Sequence, residues 1–268
     1  MTQNALITGA SSGIGYALAN VFAREGYNLI LVARSADKLN ALQKQLTAQH
    51  NISAVVLPFD LTEIEAPRQL FEQVQAQNLT VDVLVNCAGY GDYGEFSNSD
   101  WPKQQGIIFL NIHALTYLCR LCLPGMIERG QGKILNVAST AAFQPGPRVS
   151  IYFASKAYVL SLGEAIATEL EDTGVTVTTL CPGPTRTAFI QTANFDQIAV
   201  AENDSLDAMP SAEAVAEYGY KAMKKGKVVA VHGLFNKFLA FSVRFAPRGL
   251  IRRGVYQFMA PKSSKEDD

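Results

Sequence analysis

Seven short stretches rich in Val, Ile and Leu, spaced along the chain, limit what it can fold into. They are "NALITG" near residue 4, "YNLILVA" near 27, "SAVVLPF" near 53, "VDVLVNCAG" near 81, "GKILNVAS" near 132, "VTVTTLCPG" near 175 and "KVVAVHG" near 227. Their hydrophobicity is continuous rather than alternating, which suits strands buried on both faces of a parallel sheet. Segments of helical period separate them, among them "IGYALANVFAREG", "SADKLNALQKQLTAQ" and "YFASKAYVLSLGEAIATELED". Strand alternating with helix implies right-handed crossovers and an α/β, doubly wound parallel sheet of about seven strands with helices on both faces. No internal repeat or low-complexity linker interrupts the pattern, so residues 1–268 are expected to form a single domain.

Composition narrows the function classes. The chain is 48% apolar and 18% charged, enough for a large core. A net charge of -1 gives no reason to expect a nucleic-acid partner. The start, "MTQNALITGASS", lacks the basic and apolar regions of a secretory signal, and no apolar run is expected to span a bilayer. Cys87, Cys119, Cys122 and Cys181 suit reduced thiols, and a cytoplasmic location, better than a disulfide framework. Cys119 and Cys122 have metal-ligand spacing inside an apolar helical stretch, with no second pair beside them, so packing explains them better. His50, His113 and His232 lack partners too, and no metal is expected.

Ligands of doubly wound sheets bind at the carboxyl ends of the strands, so the residues there carry the argument. "TGASSGIG" (Thr8 to Gly15) lies between the first strand and the first helix. Gly9, Gly13 and Gly15 allow a tight turn and a close approach of pyrophosphate to backbone N–H groups, at the positive end of the helix. Ser11, Ser12 and Ile14 complete that cofactor-holding turn. After the second strand stands Arg34, where an NAD-preferring site would typically place an acid; its guanidinium suits a 2′-phosphate, so NADP(H) is expected over NAD(H). Asp60, after the third strand, is placed to accept from an adenine amino group, and is also a residue type that caps helices. Tyr152 and Lys156 stand one helical turn apart. A cation beside a phenol favours the phenolate, and lowering its pKa by about three units would take about 4 kcal/mol.

"TGASSGIG", "NCAG", Ser139 followed by Tyr152-x-x-x-Lys156, and "CPGPTRT", in this order from about residue 3 to about 190, resemble the single-domain short-chain dehydrogenase/reductase family. The resemblance implies a Rossmann-like fold and an NADP(H)-dependent oxidoreductase interconverting a carbonyl and a secondary alcohol. Tyr152 would be the general acid/base, Ser139 would donate to the same substrate oxygen, and Lys156 would lower the phenol's pKa and hold the nicotinamide ribose. Asn111 would hold a water leading from Lys156 to solvent. Asn86, Ala88 and Gly89 would lie along the adenosine side and steady the central sheet. Pro182 and Gly183 would turn the chain over the nicotinamide, and Thr187 would bond its carboxamide. The family commonly has Asn where Cys87 stands, and often Val where Thr185 stands. The alternative is a catalytically idle NADP(H)-binding regulatory protein on the same fold; the complete set Asn111, Ser139, Tyr152 and Lys156 argues against it. The resemblance also implies a small-molecule carbonyl or alcohol as substrate and a homo-oligomer as assembly.

Residues 187–215 are expected to form a substrate lid, with Phe189, Ile190, Phe195 and Met209 facing an apolar pocket that Tyr90 and Phe143 complete. From Lys221 to Ser263 ten basic side chains occur without an acidic one, leaving about eleven net negative charges on the rest of the chain. Within residues 234–260, large apolar groups are interspersed with these cations. Two readings stay open: a peripheral segment at the inner face of a membrane, with a lipid-like substrate, or helices packed over the substrate site or a second subunit.

Overall fold

The computed structural model describes residues 2–195, 198 and 209–261. All seven expected strands form: β1 (Asn4–Thr8), β2 (Asn28–Ala33), β3 (Ala54–Pro58), β4 (Val83–Asn86), β5 (Gly132–Val137), β6 (Val175–Cys181) and β7 (Val229–Val231). They make one parallel sheet in the order β3-β2-β1-β4-β5-β6-β7. Strand order reverses between β1 and β4, so their carboxyl ends diverge and open a crevice for ligand.

Helices α1 (Gly13–Arg24), α2 (Ala36–Gln49), α3 (Ala66–Ala76), α4 (Trp101–Ile108), α5 (Leu115–Glu128) and α6 (Ser150–Glu169) connect the strands up to β6. After β6 follow a short α7 (Phe189–Thr192), then α8 (Ala212–Lys224), whose Ser211 side chain accepts from the Ala214 amide at its amino end. Each sheet face is covered by its own cluster. Leu18, Phe22, Leu39, Leu42 and Met223 pack on one side, and Leu70, Leu118, Met126, Val159 and Leu160 on the other. Two-sided burial is why the strands carry no polar alternation.

A π-helical turn, Phe109–Ala114, joins α4 to α5, so that one helix runs from Trp101 to Glu128 over 28 residues. Its length and composition would suffice to cross a bilayer, contrary to the expectation from the sequence, which weighed apolar runs without joining them into one helix. Here Leu115, Leu118, Cys119, Cys122 and Met126 of that helix are buried in the cluster covering the sheet. Cys119 and Cys122 are therefore packing residues, as their setting suggested.

After β7 come α9 (Leu234–Ser242) and α10 (Arg248–Phe258), the basic apolar segment. α10 turns Val255 inward and, with Ile251 and the following Met259, joins a third cluster that contains Tyr152 and Tyr93. α9 is inside out. Its buried residue is Ala240, while Leu234 and Phe235 are 83% and 72% exposed.

Candidate active site

The glycine turn is shaped by close contact. Gly9 (φ 71°) and Gly13 (φ 55°) sit in the left-handed region, and a Cβ on Gly9 would meet the Ala88 backbone at 2.9 Å. A Cβ on Gly15 would collide with the Gly9 carbonyl oxygen. Thr8 locks the turn to the neighbouring strand. Its hydroxyl accepts from the amides of Cys87 (3.0 Å) and Ala88 (3.1 Å) and donates to Val85 O (3.3 Å). Ser12 precedes α1 without a side-chain cap, so the first amides of that helix keep their donors for another partner. This bare cradle, with Ser11 and Ile14 on it, fits a dinucleotide pyrophosphate.

Arg34 and Asp60 lie where the second and third strands end. The Arg34 side chain is 73% exposed and its nearest carboxylate contact, Asp60, is at 4.0 Å. One Asp60 oxygen is occupied by Thr62, accepting from its amide (3.0 Å) and hydroxyl (2.7 Å); this is the capping-type use of an Asp.

At the ends of β5 and β6 the catalytic candidates converge. Tyr152 and Lys156 share one side of α6; the ammonium is 5.7 Å from the phenol ring centroid and donates to Val137 O at 2.8 Å. Ser139 opens the 3-10 turn Thr140–Phe143, accepts from the Ala141 amide at 3.1 Å, and faces Tyr152 closely enough to favour its phenolate. Burial pushes the Tyr152 phenol up to about 12, and Ser139 opposes that rise. Burial also holds the Lys156 ammonium down at about 8, with Cys87 and Cys181 pulling it back up. This corrects the expectation that Lys156 makes the phenol acidic. In the chain alone desolvation governs both groups, and the phenol keeps its proton at neutral pH.

Asn111 sits in the π turn, 1% exposed. Its oxygen accepts from the Tyr90 amide (3.2 Å), and its nitrogen donates to Tyr90 O (3.0 Å) and Ser155 Oγ (3.0 Å). Ser155 in turn donates to Tyr152 O at 2.7 Å. The amide thus ties the loop after β4 to α6, and π turns of this kind recur at functional positions.

The Asn86 side chain is inside the sheet, donating to Asn136 Oδ1 (3.0 Å) and Cys119 Sγ (3.3 Å), so it steadies β4 against β5, the sheet-steadying part of its expected role. Ala88 lies against Gly9, and Gly89 lies beside Asn111 and Lys156. The Tyr90 hydroxyl donates to Lys103 O at 3.0 Å and packs on Gly106; Gly91 is the loop residue against the Tyr152 ring. Phe143 packs against the core beneath the sheet. Tyr90 is held by its hydroxyl's bond to α4, and Phe143 by packing against the core. The Phe189 ring lies 5.5 Å from that of Tyr152, with Phe195 at 6.2 Å. Pro182 O accepts from Thr140 N (2.8 Å), Gly183 lies under Asn236, and Thr187 touches Gly13. Within the expected lid, residues 196–197 and 199–208 lie outside the described residues.

Sequence reading missed Arg148. It holds φ 66°, a left-handed conformation unusual for a side-chain-bearing residue. Its guanidinium donates to Tyr256 O (3.1 Å) and Met259 O (3.0 Å), pairs with Glu95 at 3.0 Å, and stacks 4.0 Å over the Tyr256 ring. Tyr93 also donates to Met259 O, at 2.8 Å. Together they fasten the end of α10 against the Tyr152 cluster. The only local sign is the run "PGPRVS" before α6; its carbonyl partners at the end of α10 are more than a hundred residues away.

The sheet order and crevice define a Rossmann-like oxidoreductase fold, and comparison with known proteins agrees. The family model for short chain dehydrogenases matches residues 3–198. A short chain dehydrogenase from Pseudocercospora fijiensis is 36% identical over 185 residues, 68% of this chain but 59% of that protein's own length. Among solved structures, a short-chain dehydrogenase from Sphingobium yanoikuyae in complex with NADPH superposes with TM-score 0.80 at 28% identity, covering 99% of both chains. L-Sorbose reductase from Gluconobacter frateurii, complexed with NADPH and L-sorbose, gives TM-score 0.75 at 27% identity over 86% of this chain and 94% of that one. The chain belongs to the short-chain dehydrogenase/reductase family of oxidoreductases.

Proposed function

We propose that this oxidoreductase uses NADP(H) to reduce a carbonyl to a secondary alcohol, on a substrate carrying an apolar group. The observation that carries the reading is the meeting of Ser139, Tyr152 and Lys156 beside an uncapped glycine turn, on one edge of the sheet. When bound, the nicotinamide cofactor would supply hydride chemistry for the carbonyl carbon. Tyr152 passes its proton to the carbonyl oxygen, and a phenol held near 12 enters the cycle protonated, which suits reduction at neutral pH. Ser139 donates to the same oxygen as negative charge builds there. Lys156, fixed on Val137 O, offers its remaining N–H groups to the ribose hydroxyls and to the proton path that recharges Tyr152.

Apolar selectivity comes from the wall of Phe189, Phe195, Val255 and Met259 around Tyr152. The two solved relatives that carry NADPH support the cofactor class, and the exposed Arg34 supports the phosphorylated form. The test is a panel of ketones and aldehydes graded in apolar bulk, followed by NADPH and NADH absorbance. Bulky apolar ketones are expected to oxidise NADPH at least about 10-fold more efficiently than NADH, and Arg34→Asp to erase that preference. A panel that leaves NADPH untouched, while the chain still binds it, would overturn the reading in favour of an idle binding protein.

A further inference from the structure

α9 and α10 present a surface that the fold does not need. Along α9 and the following turn, Leu234, Phe238, Phe241 and Phe245 recur at helical spacing, and all are more than half exposed. The opposite side of α9 carries Asn236, which reaches Gly183 in the turn after β6, and the small Ala240. A helix built to cover a core would place its large groups inward and its polar ones outward. Here Phe235, Leu250, Tyr256 and Phe258 extend the exposed apolar area, and Lys237, Arg244, Arg248, Arg252 and Arg253 are exposed among them. No acidic residue occurs between Glu217 and Glu266.

Apolar groups ringed by cations fit one partner best, and we propose that this face docks on an anionic lipid bilayer. The aromatic and leucine side chains would enter the boundary between head groups and acyl chains, with the arginines on the lipid phosphates. A second copy of the chain is the weaker fit: a two-fold contact would set this cationic face against itself. The inner side of α10 rests on the Tyr152 cluster, so the docked face adjoins the candidate active site. The inference concerns the surface alone and does not depend on which reaction the site performs.

The experiment is cosedimentation of the full chain with vesicles of phosphatidylcholine alone and of phosphatidylcholine mixed equally with phosphatidylglycerol. Binding is expected only to the anionic vesicles, and to fall as salt is raised. The exposed triple variant Phe235→Ser/Phe238→Ser/Phe241→Ser should leave the pellet, and Arg252→Glu/Arg253→Glu should weaken partitioning by about 30-fold or more. NADPH binding by fluorescence should be unchanged in both variants, which separates lost docking from lost folding. Wild-type chain remaining in the supernatant, or triple variant pelleting like wild type, would overturn the proposal. So would a wild-type dimer in sedimentation velocity that the triple variant converts to monomer.

Discussion

The glycine turn and the aromatic wall around Tyr152 flank the same crevice and are built by opposite means. The turn is local: Gly9, Gly13 and Gly15 lie within a few residues and need only a strand before them and a helix after. The wall is assembled from far apart, with Tyr93, Tyr152, Phe189, Phe195, Val255 and Met259 meeting in one cluster. Its clasp, Arg148 to Met259 O, spans 111 positions. A site that must hold one invariant ligand can be written in a short motif. A site that shapes itself to a substrate is drawn from whatever the fold brings near.

Breaking the clasp should separate the two regions. Arg148→Ala removes two charge-assisted bonds to carbonyls at the end of α10 and the stacking on Tyr256. KM for an apolar ketone is expected to rise by about 10- to 100-fold, while the NADPH dissociation constant changes less than about twofold. An equal loss of cofactor affinity would mean that turn and wall are not independent.

A smaller effect comes from Lys156, which stands between them. Burial lowers its pKa from 10.5 to about 8, so below about 8 the folded chain carries a cation that it disfavours. The unfolded chain binds more protons between about 8 and 10.5, so this cost is relieved, and stability rises, as pH climbs through that window. Lys156→Met removes the cost and is expected to stabilise the chain by about 1–2 kcal/mol at neutral pH in urea unfolding, even after losing the bond to Val137 O. The gain should shrink as pH approaches 10. A variant less stable than wild type at neutral pH would show that the ammonium serves the fold rather than the site.

These cases also mark how far the chain could be read unaided. All seven strands and the convergence of Ser139, Tyr152 and Lys156 were legible, because buried parallel strands have a continuous apolar signature and one helical turn fixes the Tyr–Lys spacing. The partners of Tyr90 and Phe143 were not legible, because the Lys103 carbonyl and the core beside β5 are brought to these rings only by the fold. The sheet-steadying role of Asn86 was legible, and its amide donates to Asn136 across the sheet. Ser155 and Arg148 were passed over because their partners, Asn111 and Met259, are joined to them only by the fold. The direction of the Tyr152 pKa was missed for a related reason. Spacing reveals a nearby cation but not the depth of burial that outweighs it.

The most direct test of the account is Tyr152→Phe, measured as ketone turnover and as NADPH affinity on the same preparation. The phenol oxygen is the only atom removed, and the ring stays packed against Phe189 and Phe195. Turnover is expected to fall by about 10³-fold or more, with the NADPH dissociation constant within about twofold of wild type. Turnover kept within about tenfold of wild type would place the proton donor elsewhere and contradict the account at its centre.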